Sequence, residues 1–120
     1  MLLAAKLATG FVAVAHLWFL VLEMFLWNTP FGARTFRRPQ EEMATTAVLA
    51  MNQGLYNGFL AAGLAWGIWT GSRDIQLFFL GCVVVAGIFG GITASRAIFF
   101  LQALPGAIAA TLVWLANRAS

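Results

Sequence analysis

Charged residues are scarce in this sequence: they make up 9% of the 120 residues, whereas hydrophobic residues make up 62%. A soluble domain carries about one quarter charged residues, so the composition argues against an ordinary water-soluble fold. The net charge is only +3, and the basic residues do not form the aromatic-interleaved face of a nucleic-acid binder. We therefore expect no soluble catalytic domain and no nucleic-acid partner.

Cysteine is nearly absent as well, since Cys82 is the only one. A single cysteine excludes an internal disulfide, a Cys-x-x-Cys redox pair and a thiolate metal site. His16 is the only histidine, and no second histidine or close group of carboxylates completes a set of metal ligands around it. Nucleotide-binding loops and nucleophile motifs are also missing. Because these motifs are absent, we expect no bound metal and no cofactor.

Long apolar runs are what the chain does contain. A bilayer core about 30 Å thick is spanned by about 20 residues of helix, and four such runs nearly exhaust the chain. The sequence predicts an all-α fold, a four-helix transmembrane bundle that forms one domain over residues 1–120, with the lipid bilayer as its surroundings. The predicted spans cover residues 2–27, 48–69, 75–94 and 97–116.

The longest polar segment, residues 28–47, separates the first two spans. Thr29, Pro30 and Gly32 favour a break after the first helix. Pro39, followed by Gln40 and two glutamates, is typical of a helix start. The second helix is therefore expected to begin before the membrane.

Several polar residues lie within the predicted spans, where ionisable side chains are costly. His16 and Glu23 are seven residues apart, which places them on one stripe of the first helix. The second helix carries Asn52, Gln53, Tyr56 and Asn57, and Arg96 and Gln102 follow near the start of the fourth. If successive helices are antiparallel, all of these residues except His16, which lies deeper, fall in one leaflet. We therefore predict a polar intramembrane pocket that is lined by these side chains.

Glycine pairs at four-residue spacing recur in the second and third helices, as Gly54 with Gly58, Gly63 with Gly67 and Gly87 with Gly91. Such pairs allow the backbones of helices to approach closely in lipid. Two interpretations stay open at this point: the pairs pack the helices of one chain, or they form the interface of a homodimer.

Four segments of the sequence are familiar: HLWFLVLEMFLW (16–27), MNQGLYNGFLAAGL (51–64), GCVVVAGIFGGIT (81–93) and LQALPG (101–106). Together they resemble the bacterial membrane-protein family catalogued as domain of unknown function 1304. The resemblance implies a four-helix integral membrane protein, and hence a multi-pass protein of the bacterial inner membrane. It carries over His16, Glu23, the residues of the second helix and Gln102 without assigning them a role.

Three functions are compatible with these residues. In the first, the pocket binds or moves a small lipophilic or cationic molecule, with proton exchange at Glu23. In the second, the protein is a cofactor-independent membrane isomerase that uses His16 and Glu23 as acid and base on a hydrophobic substrate. Two helical turns separate these two groups by about 10 Å, which weakens that hypothesis. In the third, the chain is a structural accessory subunit of a membrane complex.

Overall fold

The computed structural model describes residues 2–119, and within that range it describes the side chains of residues 2–116. The described chain is helical. Its elements are α1 (Leu2–Met24), α2 (Pro30–Phe36), α3 (Gln40–Thr70), α4 (Arg73–Thr93), a π-helical turn (Phe99–Ala103) and α5 (Leu104–Ala119).

Three helical segments in the described part of the chain are long and apolar enough to cross a membrane: Leu2–Met24, Arg73–Thr93 and Phe99–Ala116. α3 is the longest helix, with 31 residues, but it is not among them. Its charged residues, Glu41 and Glu42, both lie in its first turn. The polar side chains in its middle, from Asn52 to Asn57, are therefore what lowers its mean hydropathy.

The observed helix boundaries differ from the predicted ones near the first polar segment. α1 ends at Met24 rather than at residue 27, and the polar segment contains the short helix α2, which the sequence did not predict. α3 begins at Gln40, so the predicted helix start after Pro39 is confirmed. The hydroxyl oxygen of Thr29 accepts a hydrogen bond from the backbone N–H of Gly32 (3.1 Å), and Pro30 occupies the first turn of α2. Thr29 and Pro30 thus start a helix, because a threonine cap and a first-turn proline are both start signals.

The chain divides into two compact units. The first contains Met1–Val14 and Leu60–Ser120, and the second contains Ala15–Phe59. The core of the first unit is made of small and branched apolar side chains from α1, α3, α4 and α5. Its members are Ala5, Val12, Ala13, Leu64, Leu80, Val83, Ala109, Val113 and Ala116.

Glycines allow close helix packing in the first unit. A Cβ atom at Gly87 of α4 would lie 2.5 Å from the backbone nitrogen of Ala103 in the π-helical turn, so a side chain there would require the backbone to move. Gly71 joins α3 to α4 with a φ of 66°, a left-handed conformation that glycine adopts without strain. Ser72 then caps α4 by accepting a hydrogen bond from the N–H of Ile75 (3.2 Å).

The π-helical turn ends at Ala103, two residues before Pro105 in the first turn of α5. Proline lacks the N–H that an α-helix would use at that position. A π-turn is one of the ways in which helices accommodate such an interruption. Here the N–H of Leu104 bonds back to the carbonyl of Phe99.

Candidate functional site

The polar centre of the second unit is a pair of side chains from two helices. Glu23 lies in the last turn of α1 and is partly buried, whereas Asn57 of α3 is 6% exposed. The side-chain Nδ2 of Asn57 donates a hydrogen bond to Oε1 of Glu23. The structure thus brings together two of the residues that the sequence predicts for the site.

Two glycines beside Asn57 allow α3 to approach α1 at this point. A Cβ atom at Gly54 would lie 2.6 Å from Cγ of Met24 and 3.2 Å from Cβ of Glu23. A Cβ atom at Gly58 would lie 2.7 Å from Cδ1 of Leu20. Larger residues at these positions would push the helices apart and lengthen the bond between Asn57 and Glu23. Of the two interpretations of the glycine pairs, packing within one chain or a homodimer interface, the pair Gly54 and Gly58 therefore follows the first.

The contacts that the structure gives Glu23 are neutral. Among the described residues a single salt bridge is found, between Arg38 and Glu42 (3.0 Å), and both of its side chains are substantially exposed. The carboxyl group of Glu23 thus has an amide donor on one oxygen, and no basic side chain of the described residues serves as its counter-ion. A carboxyl group in this setting is able to bind a proton or a cation.

His16, the other candidate acid or base, is buried, with 1% of its surface exposed. Its ring packs edge-on against Phe19, with the ring centroids 5.1 Å apart. The structure therefore places this imidazole in the packed interior of the second unit.

Three other predicted site residues of the second unit, Asn52, Gln53 and Tyr56, are exposed on α3. Tyr56 is 60% exposed, and its ring contacts Phe59 (5.9 Å between centroids). These side chains are exposed and point about 40° to 140° away from Asn57 around α3, and no hydrogen bond joins them to Glu23 in the described part of the chain.

Arg96 and Gln102 belong to the first unit. Arg96 is exposed in the turn after α4. The side-chain amide of Gln102 lies in the π-helical turn and donates to the carbonyl oxygen of Val83 (3.4 Å). A common pocket that joins these residues with Glu23 stays a prediction.

Two apolar grooves lie on α5 of the first unit, and neither is lined by a predicted site residue. The larger, of about 270 Å³, is lined by Ala107, Ile108, Thr111 and Leu112. The other, of about 250 Å³, is lined by Ala8, Phe11, Leu104, Pro105 and Ile108. In the part of the chain that the structure describes, no three side chains of His, Cys, Asp or Glu lie together in a way that could hold a metal ion.

Sequence reasoning missed the hydrogen bonds that fix the ends of α1 and α3 in the second unit. The indole Nε1 of Trp27 donates to the hydroxyl oxygen of Thr46 (3.0 Å), and the side-chain amide of Gln40 donates to Oδ1 of Asn28 (2.9 Å). From the sequence alone, a tryptophan at the end of a long apolar run, such as Trp27, indicates only an anchor at the membrane interface. Its hydrogen-bond partner is 19 residues away in the sequence, and no local pattern reveals it.

Two buried polar residues of the first unit were missed as well. Gln76 donates a side-chain hydrogen bond to the carbonyl oxygen of Gly67 (3.1 Å). The hydroxyl oxygen of Thr9 is fully buried and has no hydrogen-bond partner among the described residues. Thr9 lies seven residues before His16 and thus on the same stripe of α1, and this spacing is the signal that could have identified it.

A family model described as "Protein of unknown function (DUF1304)" matches residues 10–114, a range that includes Glu23 and Asn57. A similar protein is "Uncharacterized protein YpaA" from Lactococcus lactis subsp. lactis (strain IL1403). It is 27% identical over 95 residues, which cover 76% of this chain and 80% of that protein. No solved structure matches the chain. The predicted resemblance is thereby confirmed, and the chain belongs to the family described as Protein of unknown function (DUF1304).

Proposed function

We propose that this chain is a multi-pass protein of the bacterial inner membrane with four transmembrane helices, and that it binds and moves a small lipophilic cation in exchange for a proton at Glu23. The observation that carries the functional part is the hydrogen bond from Asn57 to a carboxyl group that has no basic partner among the described residues.

The proposed fourth span is α3. Its 31 residues correspond to about 46 Å of helix, which exceeds the thickness of the hydrocarbon core, about 30 Å. No charged residue follows Glu42 within this helix. The polar residues in its middle lower its mean hydropathy, but amide and phenol groups are tolerated in spanning helices where protein or ligand covers them.

The chemistry of Glu23 supports a cationic ligand. A charged side chain within the bilayer costs up to about 3 kcal/mol on insertion scales, and less near the end of a helix, where Glu23 lies. A partner of opposite charge reduces that cost. Asn57 supplies one neutral donor, so the second carboxyl oxygen is available to a cation. The side chains that follow Glu23, Met24 and the exposed Phe25, are apolar, which favours a cation that carries hydrophobic groups. A proton satisfies the carboxyl group when that cation leaves, and this alternation is the basis of the proposed exchange.

The experiment is a comparison of Glu23→Gln with Glu41→Gln in purified protein. Glu41 is an exposed carboxylate in the first turn of α3, so its variant removes the same charge away from the site. Tetraphenylphosphonium serves as the lipophilic cation, with binding measured by equilibrium dialysis and uptake measured in proteoliposomes under an imposed pH gradient. We expect Glu23→Gln to abolish both signals and Glu41→Gln to retain them. Binding and uptake that persist in a folded Glu23→Gln protein would refute the proposal.

The isomerase hypothesis receives less support from the geometry. An acid or base must reach the atom to which it transfers a proton, whereas His16 is buried and packed against Phe19. We therefore place the function at Glu23 alone.

A further inference from the structure

The exposed surface of α3 in the second unit divides into two neighbouring sectors. At 100° per residue, four exposed apolar side chains fall within about 80° of one another. They are Val48, Met51, Leu55 and Phe59. The adjacent 100° contains the exposed Asn52, Gln53 and Tyr56, with Leu49 at its centre. We call this second surface the amide sector.

Lipid tails suit the apolar sector but not the amide sector. Each amide side chain carries two N–H donors and an oxygen acceptor, and hydrocarbon satisfies none of them. No hydrogen bond joins the side chain of Asn52 or Gln53 to another of the described residues. A protein surface with donors and acceptors at the same depth would remove this cost.

We propose that the amide sector is the interface of a homodimer, in which it packs against the amide sector of a second copy. Amides are self-complementary, because the donor of one copy pairs with the acceptor of the other. A twofold axis along the membrane normal relates parallel copies, so that each residue meets its counterpart at the same depth. The inference rests on the proposed membrane insertion of α3 and is independent of the proposed role of Glu23.

The direction of the two copies follows from the position of the amides. Asn52, Gln53 and Tyr56 lie in the middle of α3 as a whole, but the first turns of α3 are predicted to precede the membrane. The three residues therefore lie in the first half of the predicted span 48–69. Antiparallel copies would place these side chains opposite the apolar end of the partner helix. The dimer is therefore parallel, with both copies inserted in the same orientation.

The glycines of α3 lie on a different surface of the helix, and that surface packs against the same chain. Gly54 and Gly58 pack against Met24 and Leu20 of the same chain, so that side of α3 is not accessible to a second copy. In lipid, helices associate through small residues or through interhelical hydrogen bonds. The amide sector supplies the second type of contact on the accessible side of the helix.

Cysteine cross-linking in bacterial membranes tests the interface, with Cys82→Ser as the background. Leu49 and Val48 are adjacent and are exposed to the same degree, 71% and 70%, but they point about 100° apart. We expect Leu49→Cys to form a covalent dimer with a short bismaleimide and Val48→Cys to form little. Equal cross-linking at both positions, or none at either position, would overturn the proposal. Carbonate extraction of the same membranes establishes that both variants are inserted.

A second measurement removes the amides themselves. Asn52→Leu and Gln53→Leu each remove two groups from a symmetric dimer, and we expect each to raise the dimer Kd in detergent roughly tenfold. Met51→Leu in the apolar sector is the control and should leave the Kd unchanged. A Kd that is unaffected by both amide substitutions would contradict the interface. Dimer formation by Glu23→Gln is expected to equal that of the original protein, which separates this result from a failure of the proposed function.

Discussion

Asn57 on α3 donates a hydrogen bond to the carboxyl group of Glu23 in the last turn of α1. The two residues are 34 positions apart in the sequence, so the bond ties two helices of the second unit to each other. Asn57 is 6% exposed, and removal of either partner leaves a polar group without its bond in a largely apolar region. Such groups cost free energy even where the bond itself contributes little.

The first prediction concerns the strength of this pair. A double-mutant cycle with Glu23→Leu, Asn57→Leu and the double variant should give a coupling free energy of about 0.5–2 kcal/mol. Chemical unfolding in detergent, followed by circular dichroism, measures it. The pair Asn28 and Gln40, whose side chains also form a hydrogen bond but are exposed, serves as the comparison and should show a smaller coupling. Additive effects at Glu23 and Asn57 would show that the bond does not contribute.

The second prediction is a pH dependence of cation binding. The proton and the cation compete for the carboxylate of Glu23 in the proposed exchange. Binding of tetraphenylphosphonium should therefore weaken as the pH falls, by at most about tenfold per pH unit. The contacting residues Asn57 and Gly54 do not titrate. His16 is the other titratable group near this part of α1, so a His16→Gln variant should retain the pH profile. Affinity that stays constant with pH, or a profile that follows His16, would exclude Glu23 as the competing group.

The helical class and three of the four apolar spans could be predicted from the sequence because both depend on local composition. The sequence did not predict as directly which residues of α3 are buried. Gln53 and Asn57 are only about 40° apart around the helix, yet Gln53 is exposed and Asn57 is buried. Gly54 and Gly58 lie next to Asn57 on the side away from Gln53, and these small residues are the signal that marks the packed surface.

The segment after α1 is a second region whose structure could not be fully predicted from the sequence. Thr29 and Pro30 predict a break after the first helix, and the break is confirmed because α1 ends at Met24. What the sequence did not predict is that these two residues also cap and begin α2. The same residues end one helix and start the next, and the choice depends on backbone hydrogen bonds that the sequence does not specify. Gly32 is buried there, and a Cβ atom would lie 2.2 Å from the carbonyl oxygen of Leu26. Only the folded chain reveals this close approach.

The third prediction concerns the bond between Trp27 and Thr46. The hydroxyl oxygen of Thr46 accepts from the indole N–H of Trp27 (3.0 Å) and donates to the carbonyl oxygen of Glu42 (2.7 Å). Thr46→Val keeps the shape of the side chain but removes the acceptor, and should lower the free energy of unfolding by about 1 kcal/mol. Thr45→Val is the matched control, because the Thr45 hydroxyl also donates to the Glu42 carbonyl (3.0 Å) but contacts no indole. Equal losses in thermal unfolding assays would assign the effect to the shared bond with Glu42.

The fourth prediction tests whether close packing at Gly54 holds Asn57 against Glu23. A Cβ atom at Gly54 meets Met24 at 2.6 Å and Glu23 at 3.2 Å, whereas a Cβ atom at Gly10 of α1 meets no described atom within 4 Å. Alanine favours helix by up to about 1 kcal/mol over glycine, so Gly10→Ala should leave stability unchanged or raise it. Gly54→Ala has the same intrinsic gain, but overpacking costs about 1–3 kcal/mol, and we expect a net loss. If Asn57 must stay close to Glu23 for function, Gly54→Ala should also weaken tetraphenylphosphonium binding, while Gly10→Ala should not. A Gly54→Ala protein that is as stable and as active as Gly10→Ala would mean that the flexible end of Met24 moves aside without displacing α3.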